Sequence, residues 1–281
     1  MKDFVRTDLY LSIKLEIWRR FHLNYIYTFF MKVKKLILSL LVFCFTLSAH
    51  SQSLSAYQII EKTHKNRDLQ SFKSQGKMTI LRPTWKRVVG IKTWVKTRDM
   101  TLVLITAPVK EKGLAFLKRG NNLWNWQPSI GRTIKISASA SNQSWMGSDF
   151  TTDDILKYVS FIDDFTHKLL GKETFDGEIC YKVQLTPKPN SRMVWGKIIS
   201  WISTKDFVER RIEYYDDTGK LMRSCVMRNV KTFNGHKVPM LIEITPANKK
   251  GHKSILEITE YTLVASMQES FFSIQNIKRL H

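Results

Sequence analysis

Apolar and polar residues alternate with period two at Ile179, Tyr181, Val183 and Leu185 against Glu178, Lys182 and Gln184. The same alternation returns at Val238, Met240, Ile242 and Ile244 against Lys237, Glu243 and Thr245. Successive side chains of a strand point to opposite faces, so each set predicts a strand with one buried face. Further β-rich runs cover 88–97, 101–106, 197–202, 208–214, 222–230 and 254–261, separated by turn chemistry such as Asp217-Thr218-Gly219, Asn234-Gly235 and Asn248 to Gly251. Short polar turns between such runs predict an antiparallel meander. Two stretches carry helical spacing instead: Ala56 to His64, with Ile59, Ile60 and Thr63 close to one face, and Thr152 to Ser160, with Ile155, Leu156 and Val159. The second is preceded by Thr151-Thr152-Asp153-Asp154, which fits the capping box that satisfies the free amides of a first helical turn. Two helices against about ten strands predict a mainly β fold, a curved antiparallel sheet with helical cover.

Ahead of this pattern the chain reads differently. From Met31, the lysines Lys32, Lys34 and Lys35 precede an apolar run from Leu36 to Leu47, and Ala49 and Ser51 follow two apart. That is the layout of a secretory signal peptide over 31–51, with cleavage between Ser51 and Gln52; an uncleaved anchor is the alternative, although the run is short for a bilayer span of about 20 residues. Residues 1–30 have no role in that scheme and read as an upstream extension, with Met31 as the start. Residues 52–281 contain no Pro/Gly/Ser linker, repeat or low-complexity tract, and are expected to form a single domain.

Composition narrows the function classes. The 281 residues include 16 Phe, 9 Tyr and 8 Trp, more apolar surface than a disordered chain leaves in water. The formal net charge of +21 admits a nucleic acid, a membrane surface or an acidic protein as partner. Removal of 1–51 leaves 37 basic against 21 acidic residues, a net +16, and export favours envelope components over nucleic acid. The basic residues are also spread along strands with acidic ones between them, without a compact basic stripe that interleaves with aromatics, so no nucleic-acid partner is expected.

No nucleophile-elbow, zinc-protease, P-loop or dinucleotide motif occurs, so no enzyme, metal or cofactor is expected. His64, His167, His236, His252 and His281 stand far apart and read as surface residues. Asp149, Asp153 and Asp154 could be drawn as an acid/base group, but capping of the following helix accounts for them better. Cys44 lies inside the apolar run and lacks the small residues that precede a lipidated cysteine. Cys180 and Cys225 fall in predicted strands and read either as a disulfide or as two separate buried thiols.

Large aromatic and sulfur side chains concentrate between residues 85 and 161, among them Trp85, Met100, Tyr158 and Phe161. Seven of them, Trp94, Phe116, Trp124, Trp126, Trp145, Met146 and Phe150, are the candidate lining of an apolar concavity that binds lipid. The bland alternative is an ordinary tryptophan-rich core.

In the same region Pro108 to Leu117 (PVKEKGLAFL), Leu123 to Pro128 (LWNWQP) with Arg132, and Trp145 to Phe150 (WMGSDF) before the capped helix resemble, in order and spacing, the outer-membrane lipoprotein-sorting proteins of the LolA-like superfamily. Later segments agree: Cys180-Tyr181 through Pro187-Lys188, the Trp201 strand, Arg211 to Asp216 followed by Gly219-Lys220-Leu221, and Val238-Pro239. The resemblance covers nearly all of 52–281. It implies an unclosed antiparallel β-barrel whose helices cover an apolar cavity, and a periplasmic carrier that holds acyl chains of a lipoprotein or other envelope lipid on the way to the outer membrane. An inner-membrane transporter would be the donor and an outer-membrane protein the acceptor, with transient contact to the membrane surface. It further implies a lid held shut by an arginine from an early strand, for which Arg82, Arg87 and Arg98 are the candidates. The Met146-Gly147-Ser148-Asp149-Phe150 form looks closer to a divergent branch whose cargo need not be lipoprotein. A sensor or protein-interaction module of the same fold, which binds without transporting, is the alternative.

N-terminal sequencing of the exported protein is expected to return Gln52. A mature terminus well away from that position would overturn the cleavage assignment.

Overall fold

The computed structural model describes residues 18, 19, 22, 27, 31–35, 54–67, 71–156, 161–189 and 194–280. Met1–Ser53 and Leu54–His281 are separate compact units. In the first, residues 31–35 are helical, while the apolar run, Cys44 and the cleavage pattern lie outside the described residues. So do Tyr158, Val159, Ser160 and His281. No helix among the described residues is long and apolar enough to cross a membrane.

The second unit is mainly β, as the alternation predicts. Helix α1 (Ala56–Arg67) is followed by β1 (Phe72–Leu81), β2 (Lys86–Thr97), β3 (Met100–Ala107), β4 (Ala115–Arg119), β5 (Asn122–Gln127) and β6 (Arg132–Ile136). Two short helices, α2 (Ala138–Ser141) and α3 (Thr152–Leu156), precede β7 (Phe165–Phe175), β8 (Glu178–Pro187), β9 (Lys197–Ser203), β10 (Glu209–Tyr215), β11 (Leu221–Phe233), β12 (His236–Pro246) and β13 (Lys253–Leu263). Helix α4 (Ile274–Ile277) lies near the C-terminus.

All these strands form one 13-stranded antiparallel sheet, in the order β6-β5-β4-β3-β2-β1-β13-β12-β11-β10-β9-β8-β7. Every neighbouring pair but one is consecutive in sequence; the exception joins β1 to β13. The two halves of the chain are therefore meanders that meet along β1 and β13. The sheet does not close, and β6 and β7 are its edges.

Both faces carry a core. On the inner face, Met78, Ile80, Val89, Ile91, Val103, Ile105 and Phe116 join Val183, Leu185, Ile198, Ile202, Ile212, Met227 and Ile244 in one buried cluster. Helix α1 contributes Ala56, Ile59 and Ile60 to that cluster. A reciprocal capping box starts this helix: the Ser55 amide donates to Gln58 Oε1 at 2.9 Å and the Gln58 amide to Ser55 Oγ at 3.2 Å. On the outer face, Leu102, Leu104, Ala115 and Leu117, the alternate positions of β3 and β4, pack with Phe272 and Ile277 of the C-terminal segment.

Cys180 and Cys225 are buried thiols, not a disulfide. Cys225 belongs to the inner cluster on β11. Cys180 stands opposite Glu173 and Ser203 on β8, out of phase with the inward Val183 and Leu185. Three strand spacings of about 4.8 Å and the thickness of the sheet separate them, well beyond the reach of a disulfide. Burial pushes the Cys180 thiol up to about 11, with Glu178 adding to the effect.

The β1–β13 register shifts between Gln75 and Gly76. A Cβ on Gly76 would sit 2.4 Å from the Glu257 carbonyl oxygen, so the backbones approach too closely there for any side chain. Gly76→Ala is expected to cost about 1–3 kcal/mol, read as a lower midpoint in urea unfolding, because strand separation at the central seam is the only relief.

Candidate functional site: the segment across the inner face

Because β6 and β7 are opposite edges, the chain between them, residues 137–164, must cross from one end of the sheet to the other. Its described part crosses the inner face, burying Trp145, Phe150 and Leu156 in the inner cluster at 1%, 3% and 3% exposure. Trp145 packs against Phe116 of β4, ring centroids 5.3 Å apart.

Local hydrogen bonds shape this segment. Ser137 caps α2 by accepting from the Ala140 amide. The Trp145 amide donates to the Phe150 carbonyl at 2.7 Å, and Ser148 Oγ donates to the Trp145 carbonyl at 2.7 Å. The loop between them turns through Met146, at φ 51°, and Gly147 at 74°. The predicted capping box forms: the Thr151 amide donates to the Asp154 carboxylate at 2.8 Å and the Asp154 amide to Thr151 Oγ1 at 3.1 Å. The result is a compact knuckle that turns Trp145 and Phe150 into the core together. Nε1 of Trp145 is buried without a hydrogen-bond partner. Burying an unmet donor costs about 1–3 kcal/mol, so the knuckle is held less firmly than its apolar packing alone would give.

Three arginines from the sheet tie the knuckle down. Arg82, just past β1, donates to the Gly147 carbonyl at 2.6 Å and to Asp149 Oδ2 at 2.9 Å. The side chains of this ion pair are only 10% and 7% exposed. Ser254 of β13 completes the pair, accepting from the Asp149 amide at 2.9 Å and donating to its carboxylate at 2.7 Å. Arg87 of β2 donates to the Met146 carbonyl and pairs with Glu111 at 3.2 Å. Arg223 of β11 meets Asp154 bidentately, at 2.6 and 2.8 Å, with its guanidinium against both Tyr214 and Trp195, 4.3 and 5.0 Å from their ring centroids. Burial opposes the Arg223 charge, but the hydrogen bonds and charge of Asp154 outweigh it and hold the pKa above the ordinary arginine value. Beside these ties a cavity of about 410 Å³ opens between the knuckle and the ends of β11 and β12, lined by Arg82, Phe150, Trp195, Arg223, Ile244 and His252.

The sequence-derived site residues separate into groups. Phe116, Trp145, Met146 and Phe150 belong to the inner cluster or pack against it. Trp94, Trp124 and Trp126 are on the other face: they stand opposite Leu102, Leu117 and Ala115 and pack with the outer cluster. The expectation of one concavity lined by all seven is corrected by strand alternation, since Leu123 and Asn125 are the inward positions of β5. Of the candidate arginines, Arg82 and Arg87 hold the knuckle, whereas Arg98 meets His64 Nδ1 at 3.1 Å, at α1. Asp154 caps as expected, but Asp149 serves the Arg82 pair instead. Sequence reasoning missed Arg223 and Ser254. Their signal was a polar residue in phase with an apolar face, Arg223 with Cys225 and Met227, Ser254 with Leu256. Among the described residues no group of His, Cys, Asp and Glu could hold a metal ion.

Removing one partner of a buried ion pair leaves the other charge uncompensated, at a cost of about 3–5 kcal/mol. Arg82→Gln is therefore expected to accelerate hydrogen exchange at the Trp145, Ser148 and Thr152 amides by at least about tenfold, while Arg98→Gln leaves those amides unchanged.

The fold has relatives among solved structures. A domain described as an outer membrane lipoprotein-sorting protein from Vibrio parahaemolyticus superposes with a TM-score of 0.72 at 18% identity, covering 80% of this chain and 98% of its own. A DUF1329 family protein from Desulfovibrio piger gives 0.73 at 19% identity, with 79% and 97% covered. A LolA superfamily protein from Nitrosomonas europaea gives 0.66 at 25% identity, with 79% and 99% covered. No curated protein matches the chain. A family model described as that of an uncharacterized protein matches residues 97–279, so the chain belongs to that family, and it is a LolA-like protein.

Proposed function

We propose that this protein is an exported, non-enzymatic carrier that binds the acyl chains of a lipoprotein or other envelope lipid on the inner face of its sheet and passes them across the periplasm toward the outer membrane. The observation that carries the reading is the knuckle: the apolar face of an unclosed sheet is filled by a segment held by a few polar ties, not by strand pairing. Trp145, Phe150 and Leu156 occupy the place that acyl chains would take, so cargo enters as these side chains leave.

The energies of the exchange are comparable. Each buried methylene contributes about 0.8 kcal/mol, so a chain of a dozen gives on the order of 10 kcal/mol gross. Burial of a Trp and a Phe with their neighbours is of the same order, since each such side chain is worth about 1.5–3 kcal/mol or more. Loading and release then need no chemistry. In this reading Arg82 and Arg87 control the lid, and Phe116 lies in the surface it uncovers. The basic exterior favours brief contact with an acidic membrane surface, an inner-membrane donor hands cargo in, and an outer-membrane acceptor takes it out.

The test is native mass spectrometry of residues 52–281, purified from an envelope fraction without detergent, with extraction and identification of bound lipid. A stoichiometric acylated species is expected. Transfer from loaded protein to acceptor vesicles should follow, faster for Arg82→Gln; a protein that binds lipid but never delivers it is a sensor. Trp145→Ala supplies a second readout. It lowers the stability of the empty protein by about 3–5 kcal/mol through the cavity it leaves. Lipid that fills that cavity restores part of the loss, whereas a purely structural Trp145 gives the same loss with and without lipid. A protein that emerges empty and refuses added lipid overturns the carrier reading.

A further inference from the structure

The outer face carries a second candidate site. Two cavities of about 330 and 370 Å³ share Lys73 and Trp94. The first continues along the outer side of β1, β2 and β13, with Gln75, Lys92, Glu260 and Thr262 in its wall. The second is apolar and is closed by the C-terminal segment through Val264, Met267 and Phe271. Register explains the shared pair: Lys73 stands directly opposite both Trp94 and Thr262, and Lys92 is opposite Gln75, so two ammonium groups and one indole meet on adjacent strands. Phe271 tilts against Trp94 with ring centroids 5.5 Å apart and forms the far wall.

The charges set the kind of ligand. Neighbouring lysines on this face are already paired, Lys77 with Glu257 at 3.0 Å and Lys96 with Glu269 at 3.5 Å. Lys73 and Lys92 make no ion pair with any described residue. The single carboxylate of the lining, Glu260, accepts a hydrogen bond from Gln75. The groove thus has a cationic end of net charge +1, two lysines against one glutamate, and an apolar end of Trp94, Val264, Met267 and Phe271. Each cavity is within the roughly 300–1,000 Å³ range of small-molecule sites.

We infer that this outer groove binds a single-chain anionic amphiphile, its headgroup between Lys73 and Lys92 and its tail under Met267 and Phe271. The site is separate from the inner face and does not depend on the carrier reading. A lysine stem packed along the tail adds apolar contact while its ammonium meets the headgroup.

The test is photocrosslinking of the intact mature protein with dodecanoate carrying a terminal diazirine, compared with the corresponding uncharged alcohol. The acid is expected to label peptides containing Trp94, Met267 or Phe271. In K73E/K92E that labelling should fall at least about tenfold, as expected when a charge-assisted hydrogen bond to the headgroup is removed. Neither lysine supports the fold through an ion pair, so the variant is expected to keep the parent unfolding midpoint, which is measured alongside. Equal labelling by the alcohol, undiminished labelling of the variant, or labels confined to the inner cluster would each overturn the inference. Labels on inner-face peptides such as that of Phe116 report on the carrier reading separately, so either idea can fail alone.

Discussion

The pairing of β1 with β13 is the contact on which the rest of the architecture depends. All other neighbours in the sheet are joined by local connections, and such meanders assemble without long loop closure. The seam is the one strand pairing that joins residues near the two ends of the second unit, so it fixes both the order of strands and the identity of the edges. With the first and last strands placed at the centre, the middle of the chain is left at both rims. The link between those rims has to cross the sheet, which makes the inner plug a product of strand order before any side chain is considered. The close backbone approach at Gly76 lies in this same seam, where the register shift lets the two strands twist past one another.

The two faces of the sheet are covered in different ways. On the outer side, Phe272 and Ile277 are fully buried against β3 and β4 by a segment that begins one short stretch after β13, and its ion pairs, Glu269 with Lys96 and Arg119, involve a largely exposed carboxylate. On the inner side, the cover depends on Arg82, Arg87 and Arg223 as well as on Trp145 and Phe150. Ionic ties of this kind are directional and lose most of their value once one partner moves, whereas apolar contact declines gradually with area. A cover built on them opens as a unit.

Much of the fold was legible because period-two alternation is a local signal. The strands around Val183 and Ile242 are where the pattern puts them, and Thr151 with Asp154 announces the start of α3. Strand β4 was harder to read, because apolar residues are buried on both sides there: Phe116 and Leu117 are adjacent and both covered, so alternation disappears. That is why Trp124 and Trp126 looked like companions of Trp145 when they serve the opposite face. Which arginine holds the knuckle depends on contacts between residues 65 and 67 positions apart, as for Arg82 with Gly147 and Asp149, and composition carries no trace of such pairing. Arg223 could have been suspected, since a guanidinium in phase with Cys225 and Met227 has to find a carboxylate or remain uncompensated.

The knuckle is joined to the sheet at both ends, through β6 and β7, and so never leaves the neighbourhood of the surface it covers. It competes with any ligand for that surface at a fixed local concentration, independent of how much protein is present. The affinity a ligand shows is its affinity for the bare face reduced by the fraction of time the face is bare. Weakening a tie therefore acts on all ligands of that face alike, raising apparent affinity without altering the preference among them. Selectivity has to come from the residues the ligand itself touches, and the ties set only the threshold at which any ligand is held.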